Sequence, residues 1–305
     1  MLTPRVSIDH LIVWCENPRD IEERRPGRAS IKEVPMSMPR ARALYIPHGG
    51  GPLPLLGDPG HAELVGGLRG LGRDLGRPSA ILVVSAHWEE PEVRVIGGPA
   101  PELLYDYYGF PEEAYRIRYP APGDPALAGR ILETLSAAGI PARPEEARGF
   151  DHGVFVPLAL MYPGADVPCV QVSLIRGLEP RAHLDLGRAL TALQGEDLLI
   201  LGSGFSFHNM REFFSAAPGS PDPRNEAFQA WLTETCASPD LPAGERDRRL
   251  AEWERAPHAR YCHPREEHLL PLHVCAGFGG RPASRSWSWT VLGKKASAFL
   301  WEPGA

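Results

Sequence analysis

The sequence predicts an α/β protein: a three-layer α/β/α domain on a central sheet that is largely parallel or mixed. Three observations carry this. Apolar, β-rich runs occur at 80–85 (Ala-Ile-Leu-Val-Val-Ser), 168–174 and 198–201 (Leu-Leu-Ile-Leu), and continuous runs of this kind suit strands buried on both faces. Helical patterns lie between them, near 61–75, 125–138 and 181–194, which is the alternation that builds such layers. No internal repeat or low-complexity linker interrupts the 305 residues, so one domain is preferred to two.

The elements follow in order. Residues 1–35 mix six basic and six acidic residues around one short apolar patch, Leu11 to Cys15. They lack the basic start and long apolar stretch of a signal peptide and the acid-poor pattern of a transit peptide. The segment is read as a poorly ordered N-terminal extension, with the domain spanning 36–305. Ala43-Leu44-Tyr45-Ile46 is the first strand pattern, followed by the helix near 61–75 and strands at 80–85 and 93–96. The helix near 125–138 opens with Pro125 behind Asp124, a first-turn proline after an N-cap. An apolar helix is expected at 154–161, the strand at 168–174, the helix at 181–194 and the strand at 198–201. Helices at 224–236 and 265–278 precede a hairpin within 287–301, where Leu-Gly-Lys-Lys forms the turn.

Composition narrows the function. Lys plus Arg is 32 against 38 Asp plus Glu, a net charge of −6, which argues against a nucleic-acid-coating protein. Only Lys32, Lys294 and Lys295 are lysines, so the arginine richness reads as codon bias rather than phosphate recognition. Hydrophobic residues at 43% allow a packed core, and no apolar run is long enough to cross a bilayer. Five cysteines, an odd number with no Cys-x-x-Cys, point away from a disulfide framework and towards a reducing cytoplasm.

Chemistry concentrates in five of the eleven histidines. His48 (Ile46-Pro47-His48-Gly49-Gly50-Gly51-Pro52), His87 (Val84-Ser85-Ala86-His87-Trp88) and His208 (Phe207-His208-Asn209) each follow an expected strand, and ligands of open α/β sheets bind at strand ends. His268 sits in His263-Pro264-Arg265-Glu266-Glu267-His268-Leu269-Leu270-Pro271-Leu272, read as the first turns of a helix started by Pro264. His152 follows Asp151 just before the apolar helix. Any one of them alone is more often a hydrogen-bonded residue than a ligand. Asp151 is read as a helix cap and Glu266 and Glu267 as solvated first-turn carboxylates. The glycine run lacks the Gly-x-x-x-x-Gly-Lys pattern of phosphate loops. Joint occurrence in five segments favours a metal, since imidazoles hold borderline metals.

Together with Tyr105-Asp106-Tyr107-Tyr108-Gly109-Phe110-Pro111, Tyr119-Pro120-Ala121-Pro122-Gly123, Asp151-His152-Gly153 and Gly202-Ser203-Gly204, these segments resemble the DOPA 4,5-dioxygenase type of class III extradiol ring-cleaving dioxygenases. The matches run in the family's order over roughly residues 43–280. The resemblance implies an oxidoreductase that inserts O2 into a catechol-type aromatic substrate at a mononuclear non-haem metal, with Fe(II) needed for activity and Zn(II) able to occupy the site. It implies His48, His87 and His268 as metal ligands and His208 as either a further ligand or an acid/base. His152 would contact substrate or dioxygen as an acid/base. Expected partners are a small catechol and O2, with no nucleic acid and no membrane. Tyr105, Tyr107, Tyr108 and Phe110, like Tyr119 and Trp88, are read equally as loop packing or a substrate wall, and Arg260 and Arg265 as surface salt bridges. Two alternatives stand beside this reading: a zinc-dependent hydrolase using the same histidines, and a non-catalytic relative, which the retention of all five histidines disfavours.

Overall fold

The first strand, β1 (Arg42–Pro47), is buried along nearly its whole length, as a continuous apolar run requires when both faces are covered. A computed structural model describes residues 40–215 and 221–303, so the expectation for residues 1–35 lies outside the described residues. After β1 come α1 (Ala62–Leu75), β2 (Ala80–Glu90), β3 (Val93–Ile96), α2 (Pro125–Ala137) and β4 (Ala142–Glu145). The chain continues through α3 (His152–Met161), β5 (Cys169–Ile175), α4 (Pro180–Ala189), β6 (Leu198–Gly204), α5 (Met210–Ser215) and α6 (Pro223–Ala237). It ends with α7 (Ala243–Ala251), α8 (Ala259–Cys262), α9 (Leu270–Gly279) and the hairpin β7 (Arg285–Val291) and β8 (Lys294–Trp301).

The sheet has the order β4-β3-β5-β2-β6-β1-β8-β7. Its centre, β5-β2-β6-β1, is parallel. The margins reverse direction: β3 runs antiparallel to β5, and β8 runs antiparallel to both β1 and β7. The sheet is therefore mixed around a parallel core, within the expected architecture. Helices α1 and α3 pack on each other, and α3 also on β2 and β6; α4 and α9 form a second pair, α9 lying on β6, β1 and β2. Beyond His152, helix α3 is apolar all round and buried at every position but Ala159, as a helix without a polar face must be. The Asp124 carboxylate caps α2 by accepting from the Leu127 N–H at 2.9 Å. Among the described residues no helix is long and apolar enough to cross a membrane.

Four differences from the sequence reading have physical causes. Strand β4 went unseen because Ala-Arg-Pro-Glu carries no apolar alternation, and its proline suits an edge. Helix α7 is so charged (Ala-Gly-Glu-Arg-Asp-Arg-Arg-Leu-Ala) that only Arg246 and Leu250 are buried. Helix α9 begins at Leu270 rather than 265. Pro271, not Pro264, occupies its first turn, where a residue without an N–H costs nothing. Finally, β2 runs on to Glu90, and its pairing with β5 slips between Val84 and Glu89. Such a bulge turns a side chain out of the ladder, and His87 lies within it.

Helices α4 and α9 cross closely at Gly187, where a Cβ would stand 2.1 Å from the Val274 carbonyl oxygen. The obstacle is helix backbone, which cannot swing aside. Gly187→Ala is therefore expected to lose about 1–3 kcal/mol or more to overpacking, outweighing the roughly 1 kcal/mol that alanine gains in a helix. A urea midpoint equal to or above that of the wild type would contradict this.

Candidate metal centre

His48 comes directly after β1, and its N–H is tied to the Gly204 carbonyl at 3.0 Å. His87 projects from the β2 bulge, and His208 follows β6, with its N–H on the Cys262 carbonyl at 2.8 Å. Since β2 and β1 flank β6, these three histidines share one end of the sheet. His152 opens α3 beside them. His268 lies in the turn before α9, and its carbonyl accepts from the Phe205 N–H (2.9 Å) and the Tyr45 hydroxyl (3.1 Å). Gly204 makes this approach possible, because a Cβ there would stand 2.2 Å from that carbonyl oxygen.

The five imidazoles form one cluster. His48 Nε2 and His87 Nε2 are 3.0 Å apart. Ring centroids separate His48 from His268 by 5.2 Å, His87 from His268 by 4.8 Å, His87 from His152 by 3.9 Å and His208 from His268 by 3.4 Å. By nearest ligand atoms the cluster falls into two sets, His48–His87–His152 and His208–Glu267–His268, each within 4.8 Å.

Most of the outer nitrogens are already engaged. The single hydrogen of the Ser203 hydroxyl goes to the Gly153 carbonyl, so Ser203 Oγ accepts from His48 Nδ1 at 3.1 Å and leaves His48 Nε2 with its lone pair. His152 Nδ1 donates to Asp106 Oδ1 at 2.8 Å. His268 Nδ1 donates to Glu267 Oε1 at 2.9 Å, and His208 Nδ1 stands 3.1 Å from that same oxygen.

Burial and mutual repulsion disfavour charge on three of the imidazoles. Burial pushes His48, His87 and His268 well below the usual imidazole range, and the neighbouring histidines push them further. Burial works upward on Asp106, but the hydrogen bond and charge of His152 overcome it and hold the carboxyl at about 2. Glu267 is likewise lowered: burial opposes ionisation, and the contact with His208 outweighs it.

Neutral imidazoles with inward lone pairs are the form that binds metals. Two nitrogens at about 2.0–2.1 Å from one ion lie about 2.9 Å apart at a right angle and about 3.4 Å apart at the tetrahedral angle. The His48–His87 separation falls in that interval, so these residues fit a metal ion.

A family model described as the catalytic LigB subunit of aromatic ring-opening dioxygenase matches residues 44–299. The chain belongs to the LigB family. LigB relatives include a protein named dioxygenase tasH from Hapsidospora irregularis, 40% identical over 276 residues, 86% of this chain and 85% of that one. A 4,5-DOPA dioxygenase extradiol from Portulaca grandiflora is 38% identical over 234 residues, 73% of this chain and 83% of its own. Among solved structures, uncharacterized protein JW3007 from Escherichia coli K12 superposes with a TM-score of 0.65 at 31% identity, covering 85% of this chain and 98% of that one. LigB dioxygenases use a metal ion, and the histidine cluster is where this chain could hold one.

Several side chains differ from their sequence reading. Glu267 is not a solvated first-turn carboxylate; with α9 starting later, it falls in a tight turn, 8% exposed, between His208 and His268. Glu266 pairs with Arg260. Asp151 holds the N-cap position of α3, yet its side chain makes no cap hydrogen bond. It accepts instead from Ser85, Gln171 and Arg148, bracing β2 against β5. Asp106 and Ser203 were missed as supports. Arg265 forms the expected salt bridge, a bidentate contact with Glu89 at 2.6 Å to each oxygen. Tyr105 and Tyr107 donate to the Ile117 and Ala114 carbonyls, both at 2.7 Å, which is loop packing, while the Tyr107 ring also reaches His152 at 5.9 Å. The hydroxyl of buried Tyr119 donates to the Tyr162 carbonyl and the Trp88 indole to Glu90. Tyr108 is 92% exposed.

Proposed function

We propose that the protein is an extradiol ring-cleaving dioxygenase that opens a catechol-type substrate with O2 at a mononuclear centre held by His48, His87 and His268. The catalytic domain is taken as 36–305, with 1–35 as an extension. The observation that carries this is the five-imidazole cluster in which the outer nitrogens of His48, His152 and His268 are committed to Ser203, Asp106 and Glu267. The names of the relatives support a catecholic substrate. Fe(II) is the metal expected for activity, with Zn(II) able to fill the same donors. Bound there, Fe(II) supplies electron exchange between catecholate and O2 and acidifies the first catechol hydroxyl.

The protein's own residues do the rest. His152, oriented by Asp106, offers Nε2 to take the second catechol proton and return it later. His208 is the further ligand or a second acid/base. The Tyr107 ring beside His152 limits water access on that side. Cys169, Cys236, Cys262 and Cys275 are free and buried, which suits a reducing cytoplasm.

The deciding experiment loads the metal-free protein with Fe(II) anaerobically, adds a catechol and then admits oxygen. A yellow semialdehyde should appear with one O2 consumed per ring opened, and the Zn(II) form should cleave nothing, because zinc does not change oxidation state. If the Zn(II) form hydrolysed an ester or amide while the Fe(II) form consumed no oxygen with any catechol, the hydrolase reading would replace this one.

A further inference from the structure

Two acids, Asp106 and the buried Glu267, flank the histidine cluster. On one flank, Glu267 Oε1 accepts from His268 Nδ1 (2.9 Å) and pairs with His208 Nδ1 at 3.1 Å. The two rings stack 3.4 Å apart with only 15° between their planes, so both present the same edge to the carboxylate and the opposite, Nε2 edge away from it. On the other flank, Asp106 Oδ1 accepts both the ring Nδ1–H (2.8 Å) and the backbone N–H (3.0 Å) of His152. Its second oxygen lies 3.7 Å from His87 Nδ1, too far for a hydrogen bond. The two acids thus serve different histidines.

We propose that Glu267 is a positioning residue that locks His208 and His268 as Nδ1–H tautomers, directing their Nε2 lone pairs to the metal, while Asp106 does the same for the proton-moving His152. The inference rests on the metal-centre reading above and adds to it a division of labour between two acids. Glu267 is well placed for this part. It is 8% exposed, and its other oxygen, Oε2, is buried without a hydrogen-bond partner. The nearest cation, Arg265, stands 3.4 Å from Oε2 and is itself held by Glu89. The carboxylate charge is therefore left for the histidines, and an acid that accepts from a ligating imidazole raises its basicity as a donor. Glu267 also offsets part of the charge of a divalent cation without occupying a coordination position, so positions remain open for substrate and oxygen.

The test reads tautomers and zinc affinity, neither of which requires catechol or oxygen. In metal-free wild-type protein labelled with 15N-histidine, the resonances of His208, His268 and His152 should show a protonated Nδ1 and an unprotonated Nε2. Zinc titration should then give Glu267→Gln an affinity about 10–100-fold weaker than wild type, with the same urea midpoint and with His208 and His268 losing their uniform tautomer. Asp106→Asn should alter the His152 resonances and leave zinc affinity near wild type. A protonated Nε2 on His208 or His268 in the wild type would overturn the proposal without any variant having to fold. So would wild-type zinc affinity in Glu267→Gln. A wild-type protein that bound no zinc would defeat the metal-centre reading, and the tautomer pattern would still decide this one. A dioxygenase assay that failed while both readouts held would defeat only the activity.

Discussion

His48→Ala and His87→Ala are expected to lose bound metal and ring cleavage together. Each removes one of the two nitrogens that face each other across 3.0 Å, and the nearby oxygens of Ser203 and Asp106 are engaged elsewhere. Ser203 is bound to the Gly153 carbonyl, and Asp106 is occupied by His152. His87 is the cleaner probe, because its side chain is 21% exposed and belongs to a bulge, so its removal disturbs packing little. Truncating buried His48 leaves a cavity beside β6. For both, metal content by elemental analysis should fall to background while the circular dichroism of the fold persists. A His87→Ala protein that kept a full equivalent of metal would remove His87 from the coordination set.

His152→Ala is expected to behave oppositely: metal retained, turnover reduced. Its Nδ1 is committed to Asp106, and what it loses is a proton carrier, a contribution of about 10²–10⁴-fold in rate. The loss should appear in kcat with substrate binding largely intact, since an acid/base acts mainly in the transition state. The measurement is steady-state oxygen uptake by Fe(II)-loaded protein alongside metal analysis. Should His152→Ala lose metal as completely as His48→Ala, His152 would belong with His48 and His87 as a ligand, the grouping their nearest ligand atoms also allow.

How much of this was legible follows from where the signals sit. The central strands announce themselves because both faces are covered and their cores are nearly all apolar. His48, His87 and His208 could then be placed by the rule that such strands end at the ligand crevice. Asp106 and Glu267 were invisible for another reason: nothing in a loop sequence says which of its acids turns inward. Glu267 was also masked by a false helix. Placing Pro264 in the first turn put it on a solvated face, whereas Pro271 is the proline that starts α9, and the tight turn before it carries Glu267 inward. The length of β2 beyond Val84 depends on its bulged pairing with β5, a tertiary fact. Ser203 lies within an expected motif, but its role emerges only from the geometry of one hydroxyl that donates to Gly153 and accepts from His48.

The parallel pairing of β1 with β6, Arg42 against Leu199 through Pro47 against Gly204, bears on when the protein can acquire its cation. That pairing joins segments far apart in the sequence, and β6 and the segment after α8 must both be in place before His208 and His268 stand beside His48. Contacts so distant in sequence form late on a folding route. The full set of imidazoles therefore exists only in the assembled sheet, and any divalent ion the cluster takes competes there with the other ions present in the compartment.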